Sequence, residues 1–541
     1  MGGPDREPGA PSFERIRRLA GRLLRECRAG DPGALARVRA QLPGLAAPGP
    51  ASAASQVRLA DVQHALAREA GLESWAALKR HAQAQEPLVA QLERFLLALR
   101  HGDAATMRQA LQGAPAIARA SVHAACAACD AALVEAWLAR EPANAVARLG
   151  GSGWTPLNCL AASPLFALDA SHAAASATIG ARLLSLGADP NGFTPAGEPD
   201  PARRQPVLYR ASEHGNAGLV RVLLEHGADP NDGESIYHAA ERNHRDVLAL
   251  LLEHGADLSA AHPTWTNTPL YFLAWYREGH PRTQAATEGM RWLLEHGADP
   301  NVPSYERRET PLHRIAELGR GAGVAELLLG HGADPARPRA DGRTPYELAV
   351  RAGNRAVAGL LRARGAAPAA LRPIDAFLGA CAAGDVDAAR RVRDAHPGLL
   401  ERLESPDRRA LVAAAQGGQA AAVRALATLG FDVAWEGEEP GTALHHAAWR
   451  GEVGTTRALL ELGAPVDARD REYGSSPLAW AAHGSGNCRE ADEAYAGVID
   501  LLIAAGASRQ PSFNRWGEPP EALASDAVAG HLRATGFAPP D

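Results

Sequence analysis

The sequence predicts a repetitive all-α fold built from pairs of helices, on three observations. Two short phrases recur in register, about 33 residues apart where nothing is inserted. The 54 glycines and 39 prolines fall at intervals between apolar stretches, as punctuation rather than low-complexity tracts. Hydrophobic residues make up 46% of the 541-residue chain but aromatics only 5%, so much of the apolar content is alanine. Alanine favours helix and lets helix backbones approach closely.

The first phrase opens each unit, at Thr155-Pro156-Leu157, Thr268-Pro269-Leu270, Thr310-Pro311-Leu312-His313, Thr344-Pro345 and Ser476-Pro477-Leu478. The stretch Gly441–Ala448 is a variant of it. A threonine or serine hydroxyl caps a helix N-terminus, and proline fits the first helical position, whose N–H has no helical acceptor. Small pairs such as Ala447-Ala448 let the first helix lie tightly against the second, and a glycine such as Gly215 or Gly451 ends it. The second phrase closes the unit. It recurs at Leu183–Asn191, Leu223–Asn231, Leu251–Ser259, Leu293–Asn301, Leu328–Ala336, Leu459–Asp467 and Leu501–Ser508. Apolar residues at helical spacing, such as Val220, Leu223 and Leu224, form a buried stripe. The glycine of Gly-Ala-Asp is placed for a left-handed cap, and the proline after it stops the helix.

With both phrases in register from about Leu88 to Phe537, the chain resembles the ankyrin repeat family, whose Thr-Pro-Leu-His-x-Ala signature it shares. The resemblance implies an ankyrin-repeat solenoid of stacked antiparallel helix pairs with β-hairpin-like fingers. It also implies a non-catalytic scaffold that binds a protein partner on its concave face, without cofactor or metal. In that family partners meet the end of the first helix and the finger tips. That position falls here on Glu213-His214, Glu241-Arg242, Trp275-Tyr276, Glu317-Leu318, Arg351-Ala352 and Trp449-Arg450. Trp275-Tyr276 and Trp449-Arg450 are the expected anchors, because tryptophan, tyrosine and arginine dominate interface energetics. The competing role for these rings is packing under neighbouring loops. Trp137 and Trp292 read as core, whereas Trp154 and Trp265 lie in fingers.

Four segments follow. Residues 1–50 hold a tail and a helical pair, 51–87 a helical element, 88–366 a first array, and 367–541 a second array with a capping unit. Units beginning near Phe95 and Phe377 are degenerate: an apolar helix, a Gly-Asp turn (Gly102-Asp103, Gly384-Asp385) and a second helix closed by Pro115 or Pro397. Leu23–Pro43 repeats the pattern with Gly30-Asp31. An Ala-Pro-rich seam, Ala366–Pro373, separates the arrays. Insertions fall at Ser163–Ser176, Arg277–Ala286 and Gly484–Gly497, between paired helices, and at Gly192–Arg204, in a finger. Leu59–Gln83 resembles a short helical element found ahead of ankyrin repeats in bacterial proteins, and also a helix-turn-helix with Glu73–Gln83 as recognition helix. A DNA-binding regulator is therefore an alternative, although balanced charge along this segment suits a phosphate surface poorly.

Formal charge is only −6, which argues against nucleic acid or membrane as the main target. Lys79 is the sole lysine, so basic charge is arginine, as in a GC-rich genome. No signal peptide or stretch of roughly 18–20 apolar residues is evident, so a cytoplasmic protein is expected. Cys126-x-x-Cys129 is a lone pair, placing Cys126 at a small buried position and Cys129 at the glycine turn. His226, His254, His296 and His331 recur one per unit, about 10 Å apart, too far to share a metal ion. They and Asp189, Asp229, Asp257, Asp299 and Asp334 are explained by helix ends and turns. His123, His313 and His445 occupy the Thr-Pro-Leu-His position, where the family's imidazole ties neighbouring units. No catalytic, phosphate-binding or small-molecule motif stands out, and an enzyme with a site between the arrays is the second alternative.

Overall fold

The computed structural model describes residues 13–42, 57–84, 88–149, 153–194, 205–276, 280–304, 307–319, 321–437, 439–488, 491–508, 514–515 and 519–536. The chain divides into two compact units, Met1–Thr264 and Trp265–Asp541. Much of each is a succession of helix pairs in which the first helix of one repeat packs on the first helix of the next, and second on second. In the first unit the pair Val207–His214 and Ala217–Glu225 stacks in this way on Ser235–Glu241 and Arg245–Glu253. In the second, Ala443–Trp449 and Val453–Glu461 stack on Pro477–Asn487 and Asp492–Ala504.

Capping sets the helix starts. The side chains of Thr155, Thr268, Thr344 and Ser476 accept the N–H three residues on, and proline follows each. At the degenerate units aspartate begins the second helix. Asp31, Asp103 and Asp385 accept from Ala34, Thr106 and Ala388, each just after a glycine with φ between +65° and +80°. That left-handed turn is held elsewhere by Gly215, Gly353 and Gly451, and at the same position by Cys129 with φ +54°.

At Thr310 and Thr442 the signature histidine supplies the reciprocal cap. Thr310 N donates to His313 Nδ1 at 3.1 Å, and Thr442 N to His445 Nδ1 at 3.0 Å. These rings must be neutral with Nδ1 unprotonated. His445 Nε2 then donates to the Ser475 carbonyl one repeat on at 3.1 Å, and His123 Nε2 to the Ala147 carbonyl at 2.9 Å. Burial pushes all three histidines down, His313 to about 4. An unfolded histidine titrates near 6.5, so the folded chain binds fewer protons between roughly pH 4 and 6.5. This contribution is complete above about pH 6.5 and is lost as pH falls toward 4. Asparagine can replace the ring without titrating, as Asn158 Oδ1 accepts from Thr155 N at 3.0 Å. Urea unfolding at pH 7 and pH 5 should therefore show a smaller acid loss for His313→Asn than for the wild type. Equal losses would contradict the assignment.

The fingers are mostly turns rather than hairpins. Among the described residues the one strand pair is Phe193–Thr194 with Gln205–Pro206, at the finger whose insertion reaches beyond the described residues. What joins successive fingers is the asparagine ending the second phrase. Asn191, Asn231 and Asn301 each donate to a glycine carbonyl of the next unit, Gly227, Gly255 and Gly332, at 2.8–3.1 Å. Their side-chain oxygens accept from Asp229, Asp257 and Asp334 N at 2.7–2.8 Å. These paired bonds take the place of strand pairing between neighbours.

Three features bear on the organisation read from sequence. Helices Phe13–Arg28, Pro32–Gln41, Leu59–Glu69 and Trp75–Ala84 share one core around Leu23, Cys27, Val38, Val62 and Leu78, so segments 1–50 and 51–87 pack as one body. Within it, Lys79 donates to Gln109 at 3.0 Å, so the sole lysine of the supposed recognition helix is spent on the next helical pair. At the 366–373 seam, helices Pro345–Arg351 and Pro373–Ala382 pack so closely that a Cβ on Gly379 would lie 2.5 Å from the Val350 carbonyl oxygen. Stacking therefore continues across that seam.

Candidate functional site

The ends of the first helices, where partner contacts are expected, divide into two kinds. Most lie in ion-pair ladders between repeats. In the first unit Glu213 pairs with Arg210 at 3.2 Å and with Arg242 of the following repeat at 2.6 Å. His214 lies beside Gly102, its Cε1 3.5 Å from where a Cβ would stand. Glu241 is buried, its carboxylate accepting from His238 Nδ1 at 2.8 Å, which gives it a holding role rather than an outward one. Burial opposes charge on His238, but Glu234 and Glu241 raise it to about 9.

In the second unit a longer ladder runs through five repeats. Tyr271 donates to Glu309 at 2.7 Å, and Arg339 binds both Glu309, at 2.5 Å, and Asp341, at 2.8 Å. Arg343 joins Asp341 to Asp375, and Arg351 joins Asp375 to Asp407 at 3.1 and 2.8 Å. Glu317 pairs with Arg314 at 2.7 Å, and Leu318 closes that helix. Arg351 thus ties its repeat to those that follow, and among the described residues Glu317 reaches beyond its own helix only to Arg339, at 3.8 Å.

The remaining four predicted residues, Trp275, Tyr276, Trp449 and Arg450, line a single groove of about 1550 Å3 in the second unit. One wall is lined by residues such as Trp265, Trp275 and Pro281, the other by residues such as Gln416, Trp449 and Leu523, with no lining residue between Pro281 and Gln416 among the described residues. The register explains the aromatic walls. In Thr268–Tyr276, Thr442–Arg450 and Ser476–Gly484 the fifth and eighth positions of the phrase are Phe272 and Trp275, His446 and Trp449, Trp480 and His483. Residues three apart share a helix face. In the repeat between these walls that begins at Thr310, the same positions carry the charged Arg314 and Glu317.

Each ring is positioned. The Arg314 guanidinium lies 3.7 Å from the Trp275 ring centroid, and Trp275 remains 51% exposed. Trp480 donates its indole N–H to Asp470 at 3.0 Å, and the same buried carboxylate takes the N–H of Tyr473 at 2.5 Å and of Ser475 at 2.9 Å. Trp449 meets Trp480 at 5.9 Å and His483 at 5.0 Å, both edge to face. Gln416 donates to His446 Nδ1 at 2.8 Å, and burial lowers His446 to about 4, leaving it neutral. Phe272, Trp480 and His483 were not among the expected contacts, though their register was the available signal; Trp265, a finger residue open to either role, and Tyr473 line the groove from outside that register. Trp292 and Trp154 are buried, and Trp265 is exposed.

The other candidate chemistries resolve into structure. His226, His254, His296 and His331 each direct Nδ1 at the carbonyl four residues back, at 2.7–2.9 Å. Burial raises the Cys126, Cys129 and Cys159 thiols, the last two to about 11 and 12, so none is a ready thiolate. Among the described residues no cluster of histidine, cysteine and carboxylate groups is arranged to hold a metal. No described helix is long and apolar enough to cross a membrane.

The family model described as ankyrin repeats (3 copies) matches residues 171–262, 283–370 and 410–491, just under half of the chain. Mouse ankyrin repeat and SOCS box protein 16 is 43% identical over 75 residues, 14% of this chain and 16% of that protein. Human 2-5A-dependent ribonuclease is 45% identical over 62 residues, 12% of this chain and 8% of that protein. Drosophila palmitoyltransferase Hip14 is 38% identical over 97 residues, 18% of this chain and 14% of that protein. The chain thus spans no more than 16% of the length of these relatives. The human ASB11 ankyrin repeat domain is 23% identical, the match covering 51% of this chain and all of that one with a TM-score of 0.25. By the recurrent phrases, the stacked helix pairs and the matched stretches in both units, residues 171–262, 283–370 and 410–491 are ankyrin repeats, and the fold is an all-α ankyrin-repeat fold.

Proposed function

We propose that the chain is a non-catalytic scaffold that holds a protein partner in the aromatic groove of its second unit. Ankyrin repeats are in general protein-interaction modules, and the observation that carries the reading is the meeting of Trp275, Tyr276, Trp449 and Arg450 on one cavity. A wall of repeats held by ion-pair ladders is ordered before binding, so little entropy is lost on this side of the complex. Half-exposed tryptophans in a depression are the residues that most often dominate binding energy. The predicted contacts Glu213, Arg242, Glu317 and Arg351 act in this reading by stiffening the stack. Arginine in place of lysine fits a bacterial protein, and its working place is read as the cytoplasm.

The test is affinity for the purified native partner, with the double variant Trp275→Ala/Trp449→Ala beside the wild type. The expected loss is at least about 2 kcal/mol, roughly thirtyfold in Kd. An unchanged Kd would remove the groove from the binding site.

A further inference from the structure

Among the described residues four tryptophans, Trp265, Trp275, Trp449 and Trp480, line the groove, in a chain that is otherwise poor in aromatics. We propose that its occupant is a proline-rich segment of the partner in the extended polyproline II conformation. This rests on the protein-binding reading above and narrows it.

Ring geometry is the first support. Trp449 and His483 stand at 90°, Trp449 and Trp480 at 73°, and Phe272 and Tyr276 at 88°. Perpendicular rings leave clefts floored by a π face, which suit flat, saturated pyrrolidine rings. Hydrogen-bond chemistry is the second. Among the described residues the indole N–H groups of Trp275 and Trp449 have no partner, and Asn487 spends one N–H on the His483 carbonyl at 2.9 Å, leaving the other. A polyproline II chain makes no internal hydrogen bonds, so its carbonyls accept from such donors, and proline brings no N–H needing an acceptor. A helical occupant satisfies its own carbonyls and would leave buried donors unpaired, which is costly.

Charge is the third support. Arg450 and Glu452 are the charged lining residues, one of each sign, and His446 is neutral. Neither a polyanion nor a polycation is favoured. The volume, about 1550 Å3, exceeds the roughly 300–1,000 Å3 typical of small-molecule pockets and suits a chain segment.

Calorimetric titration of the full chain tests the idea with three probes: a decaproline peptide, a helical Ala-Glu-Lys peptide of equal length, and cellohexaose. Saturable binding of decaproline alone is expected, weakened about tenfold or more by Trp275→Ala and by Trp449→Phe, and unchanged by Arg424→Ala. Trp449→Phe keeps a ring beside Trp480 while deleting the N–H, and Trp275 is half exposed, so both variants should retain the wild-type unfolding temperature. Absence of decaproline binding at millimolar concentration overturns the proposal, as does binding that neither variant weakens. Binding of the helical peptide instead overturns the polyproline occupant while leaving the protein-binding reading intact. Binding of cellohexaose alone overturns both.

Discussion

Replacing Asp375 by alanine is expected to destabilise the second unit by about 3 kcal/mol, the lower end of the roughly 3–5 kcal/mol for removing one partner of a buried ion pair. The carboxylate is fully buried, with Arg343 Nε at 3.0 and 3.2 Å and Arg351 Nη1 at 3.1 Å. Both guanidinium groups are largely covered, and without Asp375 they face each other across a low-dielectric gap. Asp341 still holds Arg343 and Asp407 still holds Arg351, at 2.7 and 2.8 Å, which keeps the loss from being larger. Because the ladder spans the 366–373 seam, the variant should loosen repeats on both sides of it. Urea unfolding of the full chain, followed by the signal of the second unit, measures the effect. A loss below about 1 kcal/mol would mean that the ladder is incidental.

The second large effect concerns close approach of backbones. A Cβ on Gly484 would lie 2.3 Å from the Trp449 carbonyl oxygen and 3.0 Å from its carbonyl carbon. Nothing flexible stands there to yield, so Gly484→Ala must push helix Pro477–Asn487 away from Ala443–Trp449, at a cost of about 1–3 kcal/mol. The same shift separates His483 and Trp480 from Trp449, so binding in the groove should weaken together with stability. Gly359 gives the matched comparison. It is helical, within Arg355–Ala363, and a Cβ there meets nothing within 4 Å. Gly359→Ala should therefore stabilise the unit by about 0.5–1 kcal/mol through backbone entropy alone. Opposite signs for one substitution in two helices are the expected result of thermal unfolding. Equal signs would show that helix propensity, not contact, governs both sites.

Much of the fold is legible in the sequence because it is local. Threonine caps, proline at the first helical position and left-handed glycine turns depend on residues within four positions, and the repeat makes each motif visible several times over. Even Cys129 is readable from its alignment with glycines at the turn. The asparagine ladder is less so. Asn191, Asn231 and Asn301 stand plainly in the second phrase, but their bonds reach Gly227, Gly255 and Gly332, a distance set by stacking rather than by the phrase. The asparagine bonds join successive units, and the one described strand pair, Phe193–Thr194 with Gln205–Pro206, lies in the finger that follows Asn191, so the two devices coexist there.

The site is legible in part. Trp275, Tyr276, Trp449 and Arg450 follow from their place before the turn, and that place is a helix-face property. Their meeting on one cavity is not local, since more than a hundred residues separate the walls and nothing in the period records how far the stack turns. Glu213 and Arg351 share the same register yet face charged neighbours, so they are drawn into ladders. Register marks the face, and the residue types on adjacent repeats decide whether it stays open. The division after Thr264 carries no marker of composition, whereas the Ala-Pro-rich 366–373 seam is conspicuous in sequence and is bridged by Asp375.

The central claim is that the groove, and no other face of the second unit, meets the partner. Site-specific photo-cross-linking in the native host measures this directly, with the photoreactive residue at position 275 in one variant and at the exposed position 424, on a second helix, in another. A covalent adduct with one partner polypeptide from position 275, and none from 424, is predicted. An adduct from 424 with none from 275 would contradict the account.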